Sequence, residues 1–180
     1  IDHIISQEGN VSIQALRDLY NYGEITAAGD IELGALGSIR FYADESVTAG
    51  GDLMILAFND VSLGEVDPQS FSGKNVAITA LNGSVTGAPE ASVTATAGNV
   101  LIQAGHDVAI GGDVTSNNGD ITATAGRDAS FARLASHAGK LTVTAKNNAI
   151  LNGAVSADGV AITAAEGDLV VTAPVASTVE

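Results

Sequence analysis

Along most of the chain apolar and polar residues alternate at a spacing of two, in short runs such as "VSIQA" (11–15), "VAITA" (76–80), "ITATA" (121–125) and "LTVTA" (141–145). Period two sends alternate side chains to opposite faces of an extended strand, whereas apolar positions on a helix recur at three and four. The runs also repeat. The segment G-x-h-x-h-x-A-x-x-D-h, with h apolar, fits the sequence eight times, with small insertions. The alanine closing each run is Ala15, Ala35, Ala57, Ala80, Ala104, Ala125, Ala145 and Ala164. Two places earlier stand Ile13, Leu33, Ile55, Ile78, Ile102, Ala123, Val143 and Ile162, and two earlier again Val11, Ile31, Leu53, Val76, Val100, Ile121, Leu141 and Val160.

Three or four places past each alanine comes a polar turn column: Asp18, Ser38, Asp60, Ser84, Asp107, Asp128, Asn148 and Asp168, each followed by an apolar residue. Its members are 20, 22, 24, 23, 21, 20 and 20 residues apart. A unit this short cannot bury its apolar face alone, but stacked copies share one continuous core and pair each backbone with the coil above and below. The pattern predicts an all-β fold, a right-handed parallel β-helix of about eight coils with roughly 20–24 residues per coil and about three short strands in each. At ~4.8 Å per coil, the rod is on the order of 40 Å long. Each inward column needs only a residue of the right size, so identities drift. On this reading glycine, Asp and Asn recur where the chain turns, with positive φ or an Asx cap.

Composition narrows the picture. With 46% hydrophobic residues, 4% aromatics, 21 glycines and no tryptophan, the 180 residues suit one packed segment with a thin core of small and β-branched side chains. There is no cysteine, which removes disulfides and thiolate metal sites. The formal net charge of −14 argues against nucleic-acid partners, and no apolar run has the length of a membrane-spanning helix, so lipid insertion is not expected. No cofactor is expected.

"GNVLIQAGHDVAIGGDV", "GDITATAGRDASF" and "GKLTVTAKNNAIL" resemble the degenerate repeats of about twenty residues in the filamentous haemagglutinin family of very large exoproteins. The resemblance runs from about residue 8 to 176. It implies a right-handed β-helical shaft of a Gram-negative adhesin or contact-dependent inhibition filament, exported by two-partner secretion through an outer-membrane partner. Such a shaft is secreted or displayed at the cell surface, serves adhesion and virulence, and meets a receptor or glycan on a host or target cell. On this reading residues 1–180 form a single internal segment of a longer filament and are not an enzyme. The alternative is a carbohydrate-active β-helix enzyme, a polysaccharide lyase or hydrolase, which needs several acidic or basic groups converging in a groove on adjacent coils.

The acids fall mostly in turns: the turn column, and Asp30, Asp52 and Asp120 behind a leading glycine. "GGD" at 50–52 and 111–113 lacks the nonapeptide repetition of calcium-binding β-rolls. His3, His106 and His137 occupy different columns, so neither a metal nor a catalytic site is assigned. Tyr20, Tyr22 and Tyr42 are expected to point outward, with Tyr22 and Tyr42 in one column, either shielding a sheet face or stacking against a sugar or partner. Met54 and Leu56 break the alternation in "LMILAF" (53–58) as outward apolar residues. The segment "GEVDPQSFSGK" (64–74), with Pro68 and Phe71, is expected to fold over them, and "TGAPEAS" (86–92), with Pro89, to project as a loop. These eight residues, from Tyr20 to Pro89, make up the candidate partner surface.

Overall fold

The structure, a computed structural model, describes residues 1–42, 46–64 and 69–177. Within them are 23 strands and no helix, and every strand pairing is parallel. The chain winds into a β-solenoid of about eight turns, as the repeat predicts.

Three ladders run the length of the solenoid. The first stacks the alternating runs, from Val11–Ala15 and Ile31–Ala35 up to Lys140–Ala145 and Gly159–Ala164, in an unbroken eight-stranded sheet. The second begins with Leu19–Asn21, Ile39–Phe41 and Val61–Leu63, just past each turn-column residue. The third includes Ile25–Ala27, Ser46–Ala49, Ser70–Gly73 and Ser92–Ala95. Val108–Ser116 and Ala129–Ser136 bend across the corner and belong to both the second and third ladders, with a register shift between Ile110 and Asp113. The paired residues Leu19, Ile39, Val61, Val85, Val108, Ala129, Ala149 and Leu169 reproduce the spacing of the turn column, so insertions are absorbed at corners without a slip in register. A slip of one residue would turn every apolar side chain outward.

The inward columns form one continuous core. Ile31, Leu33, Leu53, Ile55, Ile78, Ile102 and Val143 are fully buried, and the alanines pair with one another from Ala15 to Ala164. The core is not made of small residues alone. Phe41, Phe71 and Phe131 are buried, and the rings of Phe41 and Phe71 meet edge to face with centroids 4.8 Å apart. Phe71 therefore corrects the expectation of a cover over Met54 and Leu56. "SFS" (70–72) sits in register with Ser46-Val47-Thr48 below and Ser92-Val93-Thr94 above, and period two directs its central residue inward. Pro68 lies outside the described residues. The segment 86–92 also differs from expectation. Ala88 and Ala91 are buried, the Ala91 amide donates to the Ala88 carbonyl at 3.0 Å, and between them just Pro89 and Glu90 are exposed, giving a tight corner instead of a projecting loop.

Two side-chain ladders stitch the coils at their corners. In the turn column each backbone N–H donates to the side-chain oxygen one coil below: Ser38 to Asp18 Oδ1 at 2.7 Å, Ser84 to Asp60 at 2.9 Å, Asn148 to Asp128 at 2.9 Å and Asp168 to Asn148 at 2.9 Å. Ser38 and Ser84 accept through Oγ at 3.3 Å from Asp60 and Asp107. A second ladder precedes the first strand of each coil, from Asn10 through Asp30, Asp52, Asn75, Asn99 and Asp120 to the Lys140 amide. Its bonds are 2.8–2.9 Å except at Asn75, where the distance is 3.2 Å.

These ladders explain the glycines better than backbone conformation does. Among the described residues Gly64 has the one positive φ, so the turn glycines are not selected for left-handed geometry. They are selected for space. A Cβ on Gly51 would lie 2.0 Å from Asp30 Oδ1, and one on Gly119 2.4 Å from Asn99 Oδ1. Where Lys74 stands at this position, the following bond is the 3.2 Å one.

Candidate functional site

With the first sheet's inward columns aliphatic or alanine in every coil, differences along that sheet lie on its outer face. On the first sheet the outward side chains change character half-way up. Coils six and seven present Thr122 and Thr124, then Thr142 and Thr144. At the matching positions coil three presents Met54 and Leu56, and coil two Glu32 and Gly34. Met54 and Leu56 are about 40% exposed.

One column further on, immediately past the alanines, the backbone ladder continues and carries a second set of apolar groups. The amides of Leu36, Phe58 and Leu81 each donate at 3.0 Å to the alanine carbonyl one coil below. Leu16, Leu36, Phe58 and Leu81 thus stack in one exposed column. Above them the column holds Gly105, Gly126, Lys146 and Ala165. The sequence carries this signal as a large apolar residue, leucine or phenylalanine, after the alanine in the first four copies only, but a reading centred on alternation passes over it.

Leu16, Leu36, Phe58 and Leu81 on one side and Gln14 and Leu56 on the other bound a shallow groove of about 290 Å³. Gly34 forms its floor. A Cβ there would lie 2.0 Å from Gln14 Oε1, so the Gln14 amide lies across the place where other coils carry a side chain, and its Nε2 donates to Glu32 Oε1 at 3.1 Å.

The tyrosines form a second cluster, on the second face. Tyr22 stacks on Tyr42 with centroids 5.1 Å apart and planes 12° from parallel, and Tyr20 lies 6.2 Å from Tyr42 in a tilted arrangement. The Tyr20 hydroxyl donates to Asp18 Oδ2 at 3.2 Å. The Ser38 amide bonded to Asp18 holds that carboxyl below its usual range, and the Asp18 charge pushes the Tyr20 hydroxyl up. Arg40, one coil above Tyr20, has its guanidinium raised by its interaction with Tyr42. An aromatic stack beside the Asp18 carboxylate and the Arg40 guanidinium suits a flat polar ligand or a structural shield equally well.

In the upper half Arg127 is paired through Nη2 and Nε with Asp107 one coil below, and Arg133 with Asp113 at 3.1 Å. Both pairs are exposed and join neighbouring coils. His3 lies 3.8 Å from Glu24, while His106 and His137 stand on separate coils. Among the described residues no group of three His, Asp or Glu side chains is placed to hold a metal ion, and no helix is long and apolar enough to cross a membrane.

A scan of protein-family models, a search of curated proteins and a search of solved structures each return no match. The solenoid fold accordingly stands on the strand pairing itself.

Proposed function

We propose that the chain is a non-catalytic shaft segment of a secreted or surface-displayed bacterial filament of the filamentous haemagglutinin type. Its mechanism lies in length and stiffness: it holds a distal adhesive or toxic module away from the producing cell. The observation that carries this reading is the unbroken vertical bonding. Backbone ladders on three faces and the turn-column ladder join every described coil to the next, and the second side-chain ladder joins coils one to seven. Bending such a rod means breaking bonds on several faces together, whereas an ordinary linker collapses at little cost. Export through an outer-membrane partner and contact with a receptor or glycan belong to the same proposal, carried by the resemblance of the repeats.

The test places residues 1–180 between a surface anchor and a fluorescent reporter on a Gram-negative cell and measures reporter height by interferometric microscopy. The expected gain is on the order of 40 Å over an anchor fused directly to the reporter, from eight coils at ~4.8 Å. An unchanged height, or release of sugars from a polysaccharide panel by the purified chain, overturns the reading.

A further inference from the structure

We infer that the groove on coils one to four is a docking site for a basic amphipathic helix of a partner protein. This goes beyond the shaft reading and does not depend on it.

Three observations converge on that occupant. The first is apolar exposure in one place: Leu36 is 64% exposed, Phe58 47% and Leu81 53%, in a single column beside Leu56. Isolated exposed leucines are ordinary, but a contiguous set around a concave floor marks an interaction surface.

The second is spacing. The column runs along the rod axis with one side chain per coil, at ~4.8 Å intervals. A helix laid along that axis advances ~4.5 Å over three residues and ~6 Å over four, so its i, i+3, i+4, i+7 stripe keeps step with the coils. A strand laid the same way presents a side chain to one face only every ~6.6 Å and falls out of step. At the floor Gly34 carries no side chain and the Gln14 amide lies over it, so an incoming side chain between Leu36 and Leu56 meets that amide.

The third is charge. Residues 1–67 hold twelve acidic and two basic residues, a formal −10, while 68–180 hold nine and five, a formal −4. All of the groove but Leu81 lies in the acidic half, between the two corner ladders, with exposed Asp30 and Asp52 on one flank, Asp18 and Asp60 with one cation, Arg17, on the other, and Glu32 beside the floor. A partner with lysine or arginine on both sides of an apolar stripe meets this arrangement in sign. A second copy of this chain brings the same acidic rim and is repelled, as is an anionic membrane.

The experiment titrates the purified chain into a fluorescein-labelled 14-residue peptide of leucine and lysine, with leucine at i, i+3, i+4, i+7, and follows anisotropy and helix formation. Expected is saturable binding with a gain in helicity, weakened by salt. It should weaken at least 10-fold in the Leu56→Thr/Phe58→Thr variant, which keeps every acid, and remain unchanged in Thr124→Ala/Thr144→Ala. Leu36→Gln/Leu81→Gln gives the same readout from neighbouring coils should the first variant lose its fold. Binding indifferent to both apolar variants is mere attraction to an acidic rod and overturns the inference. So does equal binding of a leucine–glutamine peptide, self-association abolished by Leu56→Thr/Phe58→Thr, capture by phosphatidylcholine vesicles, or no binding at all. Reporter height is unaffected by any of these outcomes, so the two readings fail separately.

Discussion

The lower and upper halves of the solenoid are alike inside and unlike outside. Coil three and coil seven place Leu53, Ile55 and Ala57, and Leu141, Val143 and Ala145, in the same inward columns, all buried. Their outward neighbours are Met54, Leu56 and Phe58 in one and Thr142, Thr144 and Lys146 in the other. The fold constrains side-chain size on one face of each strand and leaves the other face free. Chemistry on the surface can therefore vary along the rod while its geometry does not.

The largest test of this likeness is in the core. Phe41→Ala in the lower half and Phe131→Ala in the upper, both inward in the second ladder, are each expected to cost about 3–5 kcal/mol, the range for truncating a buried aromatic. Urea unfolding followed with residue-level hydrogen exchange reads both, since a solenoid can open near the lesion first. Costs that differ by more than about 2 kcal/mol break the claim of equivalent interiors, because that is the spread the same deletion shows within one protein.

A middle-sized effect separates bonding from charge. Asp30→Ala and Asn99→Ala each remove one acceptor from the same ladder, at 2.9 Å from the Asp52 amide and 2.8 Å from the Asp120 amide. The loss is about 1 kcal/mol, the usual net worth of one such hydrogen bond. At low salt Asp30→Ala should cost less than Asn99→Ala, since it also relieves repulsion among the lower acids, and salt should close the gap. A gap that persists in high salt means the lower half is not strained by its own charge.

The smallest effect is in the upper half. Arg127 holds the Asp107 carboxyl below its usual range, with the Asp128 amide adding to the shift. Its folded value lies below its unfolded one, near ~3.9, so the pair's stabilisation is present above about pH 4 and lost as the pH falls through the folded value. Arg127→Gln should lower the melting temperature only slightly at pH 7, as expected of an exposed pair, with no difference from the parent in strong acid. Melting curves across that pH range check this. A deficit that survives in acid shows that Arg127 acts through packing.

Most of the fold is legible in the sequence because inward columns repeat the same demand. Successive spacings of the turn column equal the register offsets between paired strands of the second ladder, from Asp18 to Asp168. What escapes the reading lies where neighbours one coil away decide the outcome. Phe71 follows a proline and reads as loop until Val47 and Val93 are set beside it. The turn glycines suggest positive φ, yet they clear an oxygen that belongs to a residue about twenty positions earlier. The groove is hidden for the same reason: Leu16, Leu36, Phe58 and Leu81 are scattered single leucines and a phenylalanine in sequence, and a column only in space. The stacking of Tyr22 on Tyr42 was accessible from the repeat, because the register across that step is twenty residues.

The corner ladders have a consequence for how such a protein changes over generations. In the turn column each inner coil accepts from the coil above the same bond that it donates to the coil below. Removing or duplicating one whole coil leaves the two new neighbours with matching donors, acceptors and inward sizes. Unequal recombination between neighbouring repeats in the coding sequence can thus lengthen or shorten the rod, and carry a surface patch to a new height, without redesigning the interior.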